Sequence, residues 1–334
     1  MNNHTPFYIA RTKNAKLTDI SEERVHWFVE QTQKVRGYVF SKSDSVSSVL
    51  DQLVLRDDQH LLNAALLLFG KKPQRFCPGA TVKCSHYHGV SVTRPIPSQQ
   101  TYEDTLFEQI DAAVDFVQSK LKRTVGGREE GPAAQVRMEI PSEAISEIIV
   151  NAVVHRDYNS TGSVQVTVFA DRVEVINPGH LPAAITAADL AKEHLSIPVN
   201  PFLARPFFLA GYINMLGYGT LNVIDYCQKA LLPSPTFEPM NNQFRVILWR
   251  DRFTTHVLDI LGVSDRQRLA VNRVKELGKI VNAEYQQISG VTRKTASRDL
   301  DNLVSKGVLE RRGEKRGSHY VLGDGLDINL KTNE

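Results

Sequence analysis

The chain has 334 residues, 42% of them hydrophobic and 23% charged, with a net charge of +3. This is the make-up of an ordinary soluble globular protein with room for two or three domains. No run is apolar and long enough to span a membrane, and the N-terminus lacks the apolar core of a signal peptide, so the expectation is a cytoplasmic protein with no membrane partner. Three cysteines fit a reducing compartment and give no disulfide framework. Cys77, Cys84, His86 and His88 share a short stretch, but their spacing matches no zinc module, and a buried free cysteine is commonly a small hydrophobe.

Residues 7–89 open the chain. The pattern predicts a strand near Phe7, a helix through residues 21–35, a second apolar helix ended by Gly70 and Pro73, and a strand over residues 80–89. Residues 101–122 then predict an amphipathic helix, with Leu106, Ile110, Val114, Val117 and Leu121 as its core stripe. A loop rich in glycine and charge follows at residues 126–132.

Residues 140–182 organise the chain. Ser142, after Pro141, can cap a helix running to about His155. Ile145, Ile148, Ile149 and Ala152 make this helix apolar, yet Glu147 and Asn151 lie four residues apart and point the same way. A carboxylate and an amide on a buried helix are either a mutually satisfied core pair or part of a site. Val164, Val166 and Val168 alternate with polar residues, and Val173 and Val175 resume after Ala170-Asp171, which predicts a hairpin. The second strand runs into the turn-forming stretch Asn177-Pro178-Gly179.

Beyond Pro182, Gly217 and Gly219 precede a helix over residues 220–229. A glycine turn at a helix N-terminus suits an anion, although it also serves as a plain loop. Residues 243–250 predict a closing strand. The last region reads as three helices and two short strands around a basic loop, a winged helix-turn-helix pattern. Between Ser264 and Tyr320 there are 13 Lys and Arg against 7 Asp and Glu, so positive charge concentrates there. That asymmetry points to double-stranded DNA as partner. Its contacts would come from Arg293, Lys294, Thr295, Ser297 and Arg298 on the third helix, with Arg311, Arg312, Lys315 and Arg316 on the wing. Arg298 could instead pair with Asp299 or Asp301. Such a module can also dimerise, so a homodimer stands beside DNA as a partner state.

The order Glu147, Asn151-Ala152, His155-Arg156-Asp157-Tyr158, Asp171-Arg172, Glu174, Asn177-Pro178-Gly179, Leu181-Pro182 and Gly217-Tyr218-Gly219 resembles the GHKL ATPases. Within them it is most similar to the branch labelled as a RecG-like C-terminal region, found behind Schlafen-type AlbA-like domains. Residues 66–76 also resemble the later part of such an AlbA-like domain, whose earlier part has no match here. The resemblance implies an α/β (α+β) fold: a GHKL-like two-layer sandwich with a truncated AlbA-like N-terminal region and a C-terminal winged helix. The implied division is residues 1–98, 99–252 and 253–334.

The resemblance further implies binding of ATP and Mg²⁺. Glu147 would activate water as general base, and Asn151 would ligate the metal. His155, Asn177, Gly179, Gly217 and Gly219 would complete the nucleotide site, with the Asn177 amide oxygen accepting from adenine and Gly179 admitting the base. Leu181 stands where the wider family has a glycine, Val199 where the branch has arginine, and Asn214 where glutamate is frequent. These departures make nucleotide binding a firmer expectation than hydrolysis. The chain has no G-x-x-x-x-G-K-[ST] phosphate loop, so the resemblance implies no helicase motor. The function classes are a DNA-binding transcriptional regulator with a nucleotide module, an ATP-hydrolysing remodelling protein, and a scaffold with a degenerate pocket.

Overall fold

The computed structural model describes residues 6–40, 45–125, 136–214, 217–313 and 317–323. The chain divides into two compact units, Met1–Lys122 with Met138–Arg250, and Arg123–Arg137 with Asp251–Glu334. Both mix helices and strands, as expected for an α/β (α+β) fold.

In the first unit the helices α1 (Glu22–Arg36) and α2 (Val46–Gln52) are followed by a small hairpin of β1 (Arg56–Asp57) and β2 (His60–Leu61) and then by α3 (Asn63–Phe69). Every residue of α3 is buried. The expected strand at Phe7 is instead a single 3-10 turn, Phe7–Ile9. Pro6 starts that turn, the Asn63 amide donates to the Phe7 carbonyl (2.9 Å), and the Phe7 ring stacks on Tyr158. These contacts fix a turn where alternation alone suggests extended chain.

The strands β3 (Val82–His86) and β4 (Ser98–Tyr102) come next, then α4 (Leu106–Lys120). The helix expected from residue 101 thus begins five residues later. Thr105 and Glu108 form a capping box, and residues 98–102 join the sheet instead. Short strands β5 (Arg123–Val125) and β6 (Val136–Met138) pair with each other, and the glycine-rich stretch at 126–132 lies outside the described residues. Then follow α5 (Ser142–Val154), β7 (Val164–Val168), β8 (Arg172–Pro178), α6 (Pro201–Leu209), α7 (Gly219–Lys229), β9 (Thr236–Met240) and β10 (Gln243–Trp249). Ser142 does not cap α5. The helix starts at Ser142 itself behind Pro141, and the serine hydroxyl donates to Glu143 (3.0 Å). Pro141 itself takes the N-cap place with an extended ψ of 133°, so Ser142 is already the first helical residue and its hydroxyl is not at the capping position.

Six strands form one mixed sheet in the order β4-β3-β7-β8-β10-β9. Only β3 and β7 run parallel. The predicted hairpin over Ala170-Asp171 pairs β7 with β8. Helices α4 and α5 pack on the sheet and α7 packs on α5. The buried row Cys84, Val166 and Val175 meets Ile145, Ile148, Ile149 and Val153 of α5 in one core. The opposite row mixes polar residues such as Gln165, Thr167, Arg172, Glu174 and Arg245 with Ile176, Ile247 and Trp249. On β8, Arg172 binds Glu174 (2.6 Å) and Asp171 (2.7 Å), and Arg245 of β10 lies between Glu174 and Glu238. The Asp171-Arg172-x-Glu174 part of the motif therefore braces neighbouring strands on the face away from α5.

The second unit contains α8 (Thr255–Ile260), α9 (Asp265–Leu277), α10 (Asn282–Ser289), α11 (Arg293–Ser305) and the antiparallel pair β11 (Leu309–Arg312) and β12 (His319–Leu322). Ala270, Val271, Tyr285, Ala296, Leu300 and Leu303 share its core. Asp299, 7% exposed, accepts from Arg266 and from the Tyr285 hydroxyl and so ties α9, α10 and α11 together. No helix among the described residues is long and apolar enough to cross a membrane.

Candidate nucleotide site

A cavity of about 320 Å³ opens among α5, the lower ends of β8 and β10, the segment before α6, and the start of α7. Glu147, Asn151 and His155 reach it from one face of α5, because positions four apart on a helix share a face. Asn177 enters from β8 with the parity of Val173 and Val175, and Gly217 and Gly219 border it before and at the start of α7. The residues singled out in the sequence thus meet in one place, with one exception. Gly179 lies outside the lining. At φ +137° it sits so close to the turn after α5 that a Cβ would lie 3.2 Å from the Asp157 nitrogen. Asp157 N–H donates to the Pro178 carbonyl (2.8 Å), so this glycine joins the end of β8 to the end of α5.

Of the two cavity glycines, Gly217 is required by its positive φ and a backbone neighbour, whereas a side chain at Gly219 would displace only the end of a flexible side chain. A Cβ on Gly219 would run into the Glu147 carboxylate, and one on Gly217, at φ +78°, into the His194 carbonyl oxygen. The Asn151 side-chain amide nitrogen donates to Glu147 Oε1 (3.1 Å), which leaves Asn151 Oδ1 free of any described partner. Burial raises the Glu147 carboxyl above its usual range, and the Asn151 hydrogen bond offsets part of this. Burial also pushes His155 down to about 4, so its ring is neutral near pH 7.

A raised carboxyl pKa means that the folded state prefers the protonated form. Stability from this group is full below the unfolded pKa and is lost as pH rises through the folded one. Glu147→Gln keeps the acceptor for Asn151 and removes the buried charge. Its melting temperature should exceed that of the parent at pH 8, and the gap should close on acidification to pH 4. A gap independent of pH would contradict the assignment.

Several residues in and around the cavity escaped the sequence reading. The Thr220 hydroxyl is buried with no hydrogen-bond partner, one residue into a helix whose N-terminus has no side-chain cap. A free donor at an uncapped helix start is a place for an anion, and its position directly after Gly219 was the signal available. Phe237, Phe244 and Val246 supply an apolar wall on the sheet side. Asn200, 3% exposed, donates to the Val154 and Arg156 carbonyls (2.8 Å each) and closes the C-terminal end of α5. Arg156, from the His-Arg-Asp-Tyr run, is also structural. Its Nη2 lies within hydrogen-bond distance of the carbonyls of Gly79 (2.9 Å), Ser160 (2.9 Å) and Gly162 (2.5 Å), and its guanidinium sits 4.7 Å from the Tyr158 ring centre.

In the second unit, Arg293, Lys294 and Arg298 are exposed on the first turns of α11 and make no ion pair with any described residue. The alternative pairing of Arg298 with Asp299 or Asp301 does not occur, since Asp299 is taken by Arg266. Ser297 accepts from Asn282 (3.0 Å), and Thr295 lies beside the capping Thr292. On β11, Arg311 donates to Ser318 and Arg312 pairs with Glu310. Lys315 and Arg316 lie outside the described residues.

No curated protein matches the chain. In fold it is similar to the crystal structure of the DIP2311 protein from Corynebacterium diphtheriae, with a TM-score of 0.57 over 96% of this chain and 18% identity. The chain spans 64% of that protein's length. Such a likeness concerns the fold alone. Residues 162–248 match the family model described as "Putative ATP-dependent DNA helicase recG C-terminal". That segment contains β7, β8, the glycine turn and β10, and with α5 it encloses the cavity. The segment 162–248 is thus similar to the ATPase-like RecG C-terminal family over about a quarter of the chain.

Proposed function

We propose that the protein is a DNA-binding transcriptional regulator whose ATPase-like module binds a purine nucleotide with Mg²⁺. The observation that carries the nucleotide half is the convergence of Glu147, Asn151, His155, Asn177, Gly217 and Gly219 on one cavity that also holds an unsatisfied hydroxyl at Thr220. The residues fit the ligand from end to end. An apolar wall with one amide, Asn177, suits a base, and the uncapped start of α7 with Thr220 suits phosphate oxygens. Asn151 offers one oxygen to a cation. Among the described residues no cluster of three His, Cys, Asp or Glu could hold a metal by itself. A Mg²⁺ ion here would therefore take most of its oxygens from phosphate and water, as it commonly does. When bound, it would supply charge neutralisation at the phosphates.

Glu147 has the position and the raised pKa of a general base, and its carboxylate lies against Gly219 at the phosphate end. This favours a second reading, in which the module hydrolyses ATP to remodel DNA or a partner. Saturating Mg-ATP should raise the melting temperature by mass action. Asn151→Ala should shrink that rise. Glu147→Gln should keep it and abolish any phosphate release. No rise with either Mg-ATP or Mg-ADP would reject the nucleotide module, and turnover lost in Glu147→Gln would favour the second reading.

The DNA half rests on the unpaired cations at the start of α11. In this reading α9–α11 with β11–β12 form a winged helix, and α11 enters the major groove with its N-terminal end leading. Charge that no protein group neutralises is available to phosphates. Replacing Lys294 and Arg298 by alanine in the full chain should weaken binding to all duplexes and flatten the salt slope by about 1–2 units. Replacing Arg293 should cost about 1–3 kcal/mol on a preferred sequence only. Salt-independent binding, or none, would make the second unit a protein-contact or dimerisation module.

A further inference from the structure

Asn177 bears on which bases the cavity admits, an inference that rests on the purine-nucleotide reading above. The residue is 7% exposed, and its side chain makes no hydrogen bond to any described residue. Two other asparagines of the lining are held. Asn151 donates to Glu147, and Asn214 accepts from Arg36 (2.9 Å). On the sheet side, the residues beside Asn177 are Val175, Phe237, Phe244 and Val246, none of which offers a competing polar group. Phe244 is its register partner on β10.

A carboxamide carries a donor and an acceptor on one flat group. With no neighbour to orient it, it presents either one by a half-turn about its terminal torsion. We propose that Asn177 makes this cavity tolerant at the 6-position of a purine, so that 6-oxopurine nucleotides bind alongside 6-aminopurine ones. Toward adenine, Oδ1 accepts from the 6-amino group. Toward hypoxanthine or guanine, the amide is turned and Nδ2 donates to the 6-oxo group. A carboxylate at this position could only accept, and a 6-oxo group would then face an unpaired oxygen in an apolar wall, which is costly.

The test uses the 334-residue chain with Mg-ATP and Mg-ITP, titrated by calorimetry in the parent, Asn177→Asp and Asn177→Leu forms. The parent should bind the two nucleotides within about threefold of each other, because neither leaves the amide unpaired. Asn177→Asp should keep ATP and weaken ITP by about tenfold or more relative to it. Asn177→Leu should weaken both alike. A parent that prefers ATP over ITP by more than about tenfold overturns the proposal while leaving the nucleotide site intact. An Asn177→Asp variant that treats both nucleotides equally overturns it too. A parent that binds neither removes the nucleotide reading and the proposal together.

Discussion

Arg156→Ala is expected to destabilise the first unit by about 3–5 kcal/mol, the largest single-residue effect outside the apolar core. Arg156 is the bulkiest fully buried side chain, and its terminal nitrogen serves carbonyls on two separate segments, at Gly79 before β3 and at Ser160 and Gly162 before β7. Truncation removes the donor from these part-buried acceptors and leaves a void beside Tyr158. Lysine should rescue little, because a point charge on a flexible stem does not reproduce the guanidinium plane. Both tryptophans, Trp27 and Trp249, belong to the first unit, so urea unfolding followed by tryptophan fluorescence reports on that unit. A loss under about 1 kcal/mol would mean that water replaces the guanidinium at those carbonyls.

Gly217→Ala is expected to abolish the Mg-ATP-induced rise in melting temperature while lowering the ligand-free value only modestly. At φ +78° an alanine costs about 1 kcal/mol in backbone strain. The larger effect is steric. The new methyl would overlap the His194 carbonyl and press on Ser196 N, both backbone atoms, so the stretch 194–196 must move off the cavity rim. Differential scanning fluorimetry with and without Mg-ATP separates the two effects. A variant that is strained without ligand yet shows the parental shift would place the phosphate end elsewhere.

The parts of the fold that were legible are those whose information is local. α5 and the β7–β8 hairpin announce themselves by apolar period and by Ala170-Asp171, and Gly217 by the backbone freedom its φ of +78° demands. β4 and β9 were not visible. As edge strands with the sequences SQQTY and TFEPM, they have no clean alternation, and they exist because β3 and β10 offer them partners. The parallel pairing of β3 with β7 joins positions about eighty residues apart, and no local pattern encodes it. At the site, identity was legible and role less so. Asn151 and Asn177 face the cavity as their spacing implies, whereas Gly179 and Arg156 of the same motif hold chain segments together. Short-range patterns specify residue type, and only the packing decides whether a residue serves a ligand or its neighbours.

Asn200 places a boundary in the local stability of the first unit. Its amide grips the last carbonyls of α5 from the residue just before α6. On the N-terminal side of that grip, residues 183–199 are mostly irregular, with one short 3-10 turn at Asp189–Ala191 and Leu195 81% exposed. On the C-terminal side, Leu203, Ala204 and Phe207 are in the core. Outside the buried anchor at Leu190, openings of the irregular stretch are expected to be sub-global and to stop at Asn200. The helix that carries Glu147 and Asn151 need not unfold for the segment over the cavity to exchange with solvent, so access and architecture are decoupled at a single amide.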